Sequence, residues 1–315
     1  MNNNEILVVE ISGKRPGGVK QRPTEKFSIG YDKVIISNNS EGYKTDWEIV
    51  NVPDDYREWY IRNVKNSENA WYAPMNRSYA IKYAREHGYK YLVQLDDNIN
   101  SLEISYYDNR DVIQKRLRQV SSKEMMDDFI LMQKTVLDNT NAAMVGFSLR
   151  SIVTPDMTFM REGYVYSFFM LNLEKCPDIF HGDFEDDIEY RLKCSQMGLP
   201  VVQINTLKYS KTGQQHTKDL SGCRAEYLKA GIKRGEHMTK LYGDLYKCKM
   251  TRFRHGTTLK PSEQPINFKH ILKPFKLGVI VYDMNPIKEC MRNILKKYGT
   301  HHEDKYVIKE RKPRR

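Results

Sequence analysis
In the stretch Tyr89-Lys90-Tyr91-Leu92-Val93-Gln94-Leu95-Asp96-Asp97-Asn98, an apolar run stops on two adjacent carboxylates and an amide. Tyr91, Leu92, Val93 and Leu95 have the length and side-chain bias of a strand buried on both faces, as in a parallel or mixed sheet. Such strands open onto sites at their carboxyl ends. Just upstream, residues 76–87 read as a helix, with Tyr79, Ala80, Tyr83 and Ala84 on one side and Gly88 placed to stop it. Helix, glycine, strand, carboxylates is an α/β order with a site at its end. Asp also favours turns, so an isolated Asp-Asp pair can serve only to cap one. As ligands, these oxygens suit a hard divalent cation, Mg or Mn, that itself holds phosphate.

The rest of the chain supplies a frame for that strand. Residues 5–11 predict a first strand, followed by the loop Ser12-Gly13-Lys14-Arg15-Pro16-Gly17-Gly18, which matches neither a Walker A motif nor the dinucleotide fingerprint. Residues 33–37 and 47–52 predict short strands and 56–65 a helix. A helix over 121–137 is expected from the capping pattern Ser121-x-x-Glu124 and the stripe Met125, Phe129, Met132 and Val136. Strands are expected at 143–148, 164–173 and 201–205. Between the last two stands the densest acidic cluster, His181-Gly182-Asp183-Phe184-Glu185-Asp186-Asp187-Ile188-Glu189, opening a helix that ends at Gly198. Acids there suit the helix dipole, yet so many like charges also repel one another. Residues 220–246 carry helical signals, 261–274 form elements poorly, and 277–298 predict a short strand and a helix.

Charge is unevenly held. The 315 residues carry a formal net charge of +11, but from Leu207 onward there are 26 Lys and Arg against 10 Asp and Glu. A basic final third on an otherwise acidic chain points to a polyanionic partner, such as nucleic acid or an acidic membrane surface, with Lys211, Arg224, Lys233, Arg234, Arg252 and Arg254 as its candidate contacts. Five scattered cysteines favour neither a disulfide framework nor a structural zinc site. No apolar run approaches the roughly 20 residues that cross a bilayer, and the amino terminus lacks signal-peptide character. A soluble cytoplasmic protein with no membrane partner is the expectation.

The segment from Asn76-Arg77 through Ala80, Ala84 and Gly88 to Leu95-Asp96-Asp97-Asn98 resembles the core of GT-A glycosyltransferases, with their Asp-x-Asp motif. Within that class it most resembles the TET/JBP-associated glycosyltransferases, which include the base J glucosyltransferase and phage enzymes that decorate hydroxymethylpyrimidines in DNA. The family pattern usually ends in three acids, whereas Asn98 stands third here. Over about residues 1–260 the resemblance implies a GT-A, Rossmann-like domain: a mixed, mostly parallel sheet flanked by helices. Residues 261–315 would form a basic, mainly helical extension. It implies nucleotide-sugar contacts, most simply to a UDP-sugar, from Ser12, Lys14, Arg15, Arg77, Asp96 and Asp97. It implies Mn or Mg held by Asp97, Asn98 and a late histidine, His255 with His216 behind it.

Phe184-Glu185-Asp186-Asp187-Ile188, with Arg191 and Gly198, matches the acceptor-facing acids of such enzymes. In an inverting transferase one carboxylate takes the acceptor proton; Asp186 is the first choice, Asp187 the second, with Glu185 beside them. The activity implied is metal-dependent transfer of a sugar to a hydroxymethylpyrimidine in double-stranded DNA, in a phage or related element. A protein or glycan acceptor, a metal-dependent nuclease and a non-catalytic nucleic-acid-binding protein are the alternatives.

Overall fold
Strand β1 (Ile6–Ser12) is buried along its whole length, and its side chains divide by parity. Ile6 and Val8 join one apolar cluster, while Leu7, Val9 and Ile11 join another. Successive strand side chains face opposite sides, so the sheet carries a core on each face, as an α/β fold requires. The computed structural model describes residues 5–64, 73–104, 118–120, 124–149, 159–178, 185–212, 233–250, 268–272 and 277–298.

Further strands are β2 (Asp32–Ser37), β3 (Glu48–Asn51), β4 (Tyr91–Asp96), β5 (Ile99–Ile104), β6 (Arg118–Val120), β7 (Met144–Leu149), β8 (Met160–Glu162), β9 (Phe168–Asn172) and β10 (Val201–Lys211). They form one sheet in the order β3-β2-β1-β4-β9-β7-β10-β5-β6, with β8 also on β10. Strands β1 to β4 run parallel, β9 lies antiparallel between β4 and β7, and β10 is parallel to β7. Strands β5 and β8 oppose β10, and β6 opposes β5. Most strands therefore share one direction in a mixed sheet.

Helices α1 (Asp54–Val64) and α2 (Ala73–Glu86) cover one face through Tyr56, Tyr60, Tyr79, Ala80 and Ala84, and α4 (Asp186–Gln196) adds Tyr190 and Cys194. The small Ala80 and Ala84 put little bulk between α2 and the strands beneath. Helix α3 (Met125–Asp138) covers the other face, joined by the last helix, Asn285–Tyr298, through Ile287, Met291 and Ile294. That helix is thus part of the main core, although it lies beyond residue 260. Gly88 and Gly198 follow α2 and α4 with φ of 76° and 73°, the left-handed conformation glycine adopts without steric cost. Helix Lys233–Tyr242 and the ribbon of β11 (Tyr246–Met250) and β12 (Phe268–Leu272) dock on α4 through Met238, Tyr246, Ile188 and Leu192.

Differences from the sequence reading have local causes. Helix α3 begins at Met125 after Glu124, which makes no side-chain cap bond, and Ser121 lies outside the described residues. The strand expected over 164–173 starts only at Phe168. Before it, the Tyr164 carbonyl accepts from Gln203 and the Ser167 amide donates to Tyr209 Oη at 3.0 Å, so side chains take the place of a ladder. Strand β10 runs past Asn205 to Lys211 because β5, more than 90 residues earlier, pairs with its far end. Neither β5 nor β12 was expected: β5 completes its pairing with β10, more than 90 residues further on, and β12 falls in the stretch 261–274 that reads as a poor former of elements.

Candidate active site
The carboxyl ends of β1, β2, β4 and β10 meet at one cleft of about 160 Å³. Ser12, Lys14 and Arg15 come from the end of β1 and its loop, Asn38 from the end of β2, Asn76 and Arg77 from the first turn of α2, Asp96 to Asn98 from the end of β4, and Lys211 from the end of β10. Lys14 has φ of 59°, and its amide donates to the Asn39 carbonyl at 3.0 Å. A non-glycine residue held there is strained, a feature concentrated at functional sites. The Asp96-Asp97 turn is fixed from outside by Thr24, whose hydroxyl donates to the Asp96 carbonyl at 2.7 Å and accepts from the Ile99 amide at 2.9 Å.

Every carboxylate oxygen of the turn is engaged. Asp96 Oδ1 accepts from Arg77 Nη2 and Oδ2 from Lys211 Nζ, each at 2.6 Å. Asp97 Oδ1 accepts from Arg15, and Oδ2 from the Ser12 hydroxyl at 2.7 Å. Burial works to raise the pKa of Asp96, but Lys211 and Arg77 hold it below the carboxylate range. For Asp97, burial outweighs Arg15 and the Ser12 bond, and its pKa is raised.

Arg77 carries the connection to the second acidic cluster. It pairs with Asp96 on one side and Asp186 on the other, and Nη1 donates to Gln94 Oε1 at 3.0 Å. Tyr190 of α4 donates to the same Gln94 oxygen at 3.0 Å. One buried guanidinium thus ties the end of β4 to the start of α4. Burial raises the pKa of Asp186 despite Arg77. Asp187 is half-buried and accepts from the Ile188 amide at 2.8 Å; burial and the neighbouring Asp186 push it up to about 7. Glu185 is buried at the helix cap.

Three amides add unsatisfied polarity to the cleft. Asn38 Nδ2, Asn76 Oδ1 and Asn98 Oδ1 are buried without a hydrogen-bond partner among the described residues. Buried polar atoms of folded proteins almost always have partners, so these three atoms leave hydrogen-bonding capacity at the wall of the cleft.

The expected metal does not fit these side chains as they stand. Asp97 is closed by Arg15 and Ser12, Asp96 by Arg77 and Lys211, and Asn98 brings only a neutral oxygen. Among the described residues no three His, Cys, Asp or Glu side chains converge as metal ligands. His255 and His216 lie outside the described residues, as do Arg224, Arg252 and Arg254. Of the other expected DNA contacts, Lys233 is exposed at the start of its helix, where Arg234 follows it. Lys211 is instead a member of the cleft. Thr24, Gln94, Ser167 and Tyr190 were missed; only Gln94, a polar residue inside an apolar strand, left a signal.

A cleft at the carboxyl ends of parallel strands, lined by cations, carboxylates and amides, is where an α/β fold places its ligand. The family model of the TET-associated glycosyltransferases matches residues 39–220, more than half of the chain, and the chain belongs to that family. The protein is a glycosyltransferase. A search of curated proteins finds no match. Among solved structures the chain is similar to a protein of Desulfovibrio desulfuricans G20, provisionally classed as a nucleotide-diphospho-sugar transferase. Identity is 12%, coverage 76% of this chain and 98% of that one, and the TM-score is 0.36. No helix among the described residues is long and apolar enough to cross a membrane.

Proposed function
We propose that this glycosyltransferase moves a sugar from a nucleotide sugar to the hydroxyl of a hydroxymethylated pyrimidine in double-stranded DNA, a modification suited to phage genomes. The observation that carries the reading is Arg77, ion-paired to Asp96 in the cleft and to Asp186 at the head of α4. A donor in the cleft and an acceptor at α4 would then react across one shared wall.

Roles follow from the partners. Ser12, Lys14, Arg15 and the amides of Asn38, Asn76 and Asn98, each with one polar atom still unpaired among the described residues, surround the donor. Asp187 is the better base than Asp186, reversing the order expected from sequence. Asp186 is committed to Arg77, whereas Asp187 has its pKa pushed near neutrality, where a base works best. Glu185 sits behind both at the cap. The basic final third supplies sequence-independent attraction for the phosphate backbone. Because the hydroxymethyl group lies on a stacked base, a recessed site favours an extruded nucleotide.

The test incubates the purified protein with DNA containing hydroxymethylcytosine, hydroxymethyluracil or neither, together with a panel of nucleotide sugars. Nucleosides released by digestion are then weighed. A mass increase of one sugar on a hydroxymethylated base alone is the expected result. Glycosylation of protein or glycan with none of DNA would replace the acceptor while keeping the transferase.

A further inference from the structure
We propose that the diphosphate of the donor is held, and its leaving charge neutralised, by the fixed cations Arg15 and Lys211, with no divalent metal ion required. The inference rests on the donor reading above and adds the chemistry of the leaving group. A hard cation such as Mg demands near-octahedral oxygen at about 2.1 Å. Here both oxygens of Asp96 and both of Asp97 already accept bonds from Arg77, Lys211, Arg15 and Ser12. Charge points the same way. Lys211 offsets Asp96, Arg15 offsets Asp97 and Arg77 offsets Asp186, which leaves these three carboxylates no surplus to draw a cation. A metal would have to displace Lys211 and Arg15 and then lie beside them.

The same two cations suit a diphosphate. Lys211 Nζ donates to Asp96 and, at 2.6 Å, to the Ser167 hydroxyl, so its ammonium is fixed in the wall of the cleft. An ammonium has three donors and a guanidinium five, so each can take a phosphate oxygen without leaving its carboxylate. Both stand at the carboxyl ends of the strands facing Asn76 and Asn38. During transfer the bond from the anomeric carbon to the diphosphate oxygen breaks and its electron pair stays on that oxygen. The acceptor oxygen bonds to the carbon, and its proton passes to Asp187. The charge gained by the diphosphate lies against cations already in place, which is electrostatic stabilisation without reorganisation.

The experiment uses the full chain, stripped by a chelating resin, and calorimetric titration with UDP, GDP, CDP and dTDP in EDTA and again in Mg or Mn. At least one diphosphate is expected to bind equally well, within about twofold, in both conditions. Lys211→Met should weaken that diphosphate by about tenfold or more, the loss of one charge-assisted contact, and the corresponding monophosphate less. Lys211→Arg should recover most of the affinity. Binding that appears only with metal, or tightens more than about tenfold with it, overturns the proposal while leaving the donor reading intact. Absence of diphosphate binding in every condition overturns the donor reading and this inference together. The titrations of the unmodified chain decide the matter even if the Lys211 variants fail to fold.

Discussion

Replacing Arg77 by methionine should destabilise the protein by an amount that grows with pH. The Arg77 side chain is only 5% exposed and that of Asp186 11%, so water screens the pair weakly. Asp96 keeps Lys211 and Gln94 keeps Tyr190 when the guanidinium goes. Asp186 is the group left with an uncompensated buried charge, which costs about 3–5 kcal/mol. At roughly 2–4 °C per kcal/mol for a chain of this size, the midpoint of thermal unfolding should fall by about 10 °C near pH 8. Burial already raises the Asp186 pKa above that of an exposed aspartate, and losing Arg77 raises it further. A carboxyl with a folded pKa above its unfolded value is neutral in both states at low pH, and costs stability as pH rises between the two values. The deficit should therefore be smaller at pH 5 than at pH 8. Adding Asp186→Asn should recover at least half of it at pH 8, because the orphaned charge is gone. Thermal and urea unfolding of the parent, both single variants and the double variant at the two pH values provide the measurement. A loss below about 1 kcal/mol, or an equal loss at pH 5 and pH 8, would refute the view that Arg77 is the strut between the two acidic clusters.

Transfer should follow the ionisation of Asp187. Since the base acts deprotonated and its pKa is pushed up to about 7, kcat/KM should fall about tenfold per pH unit below that value, and Asp187→Asn should abolish turnover while diphosphate affinity stays unchanged by calorimetry. Association with DNA should weaken steeply as NaCl rises from 50 to 200 mM, by about a hundredfold or more if several phosphates are neutralised; a flat response in a fluorescence-anisotropy titration would remove the basic third from the interface. Met291→Ala should cost about 2–5 kcal/mol in urea unfolding, because Met291 is fully buried in the same core as α3. A cost near zero would mean the last helix is an appendage rather than part of the domain.

The strand Tyr91 to Asp96 was legible because it is local: four large apolar residues in a run admit a doubly buried strand, and the carboxylates follow it directly. The same holds for the stripe of α3 and the glycine stops after α2 and α4. What could not be read was which distant segments complete each site. Lys211 belongs to a basic stretch and looked like a surface contact; only the pairing of β10 with β5 carries its ammonium to Asp96. What sets Asp186 apart from Asp187 is likewise Arg77, 109 positions earlier, which forms an ion pair with Asp186.

The amino-acid sequence by itself determined that this chain builds an α/β sheet with acids at a strand end and at a helix start, because burial periodicity, glycine stops and charge density are properties of neighbours along the chain. Tertiary structure alone decided that the two acidic clusters share one guanidinium and that the carboxylates at the end of β4 face fixed cations. Those relations depend on strand order and long-range register, and electrostatic pairing is set by distance through space, which no local pattern encodes.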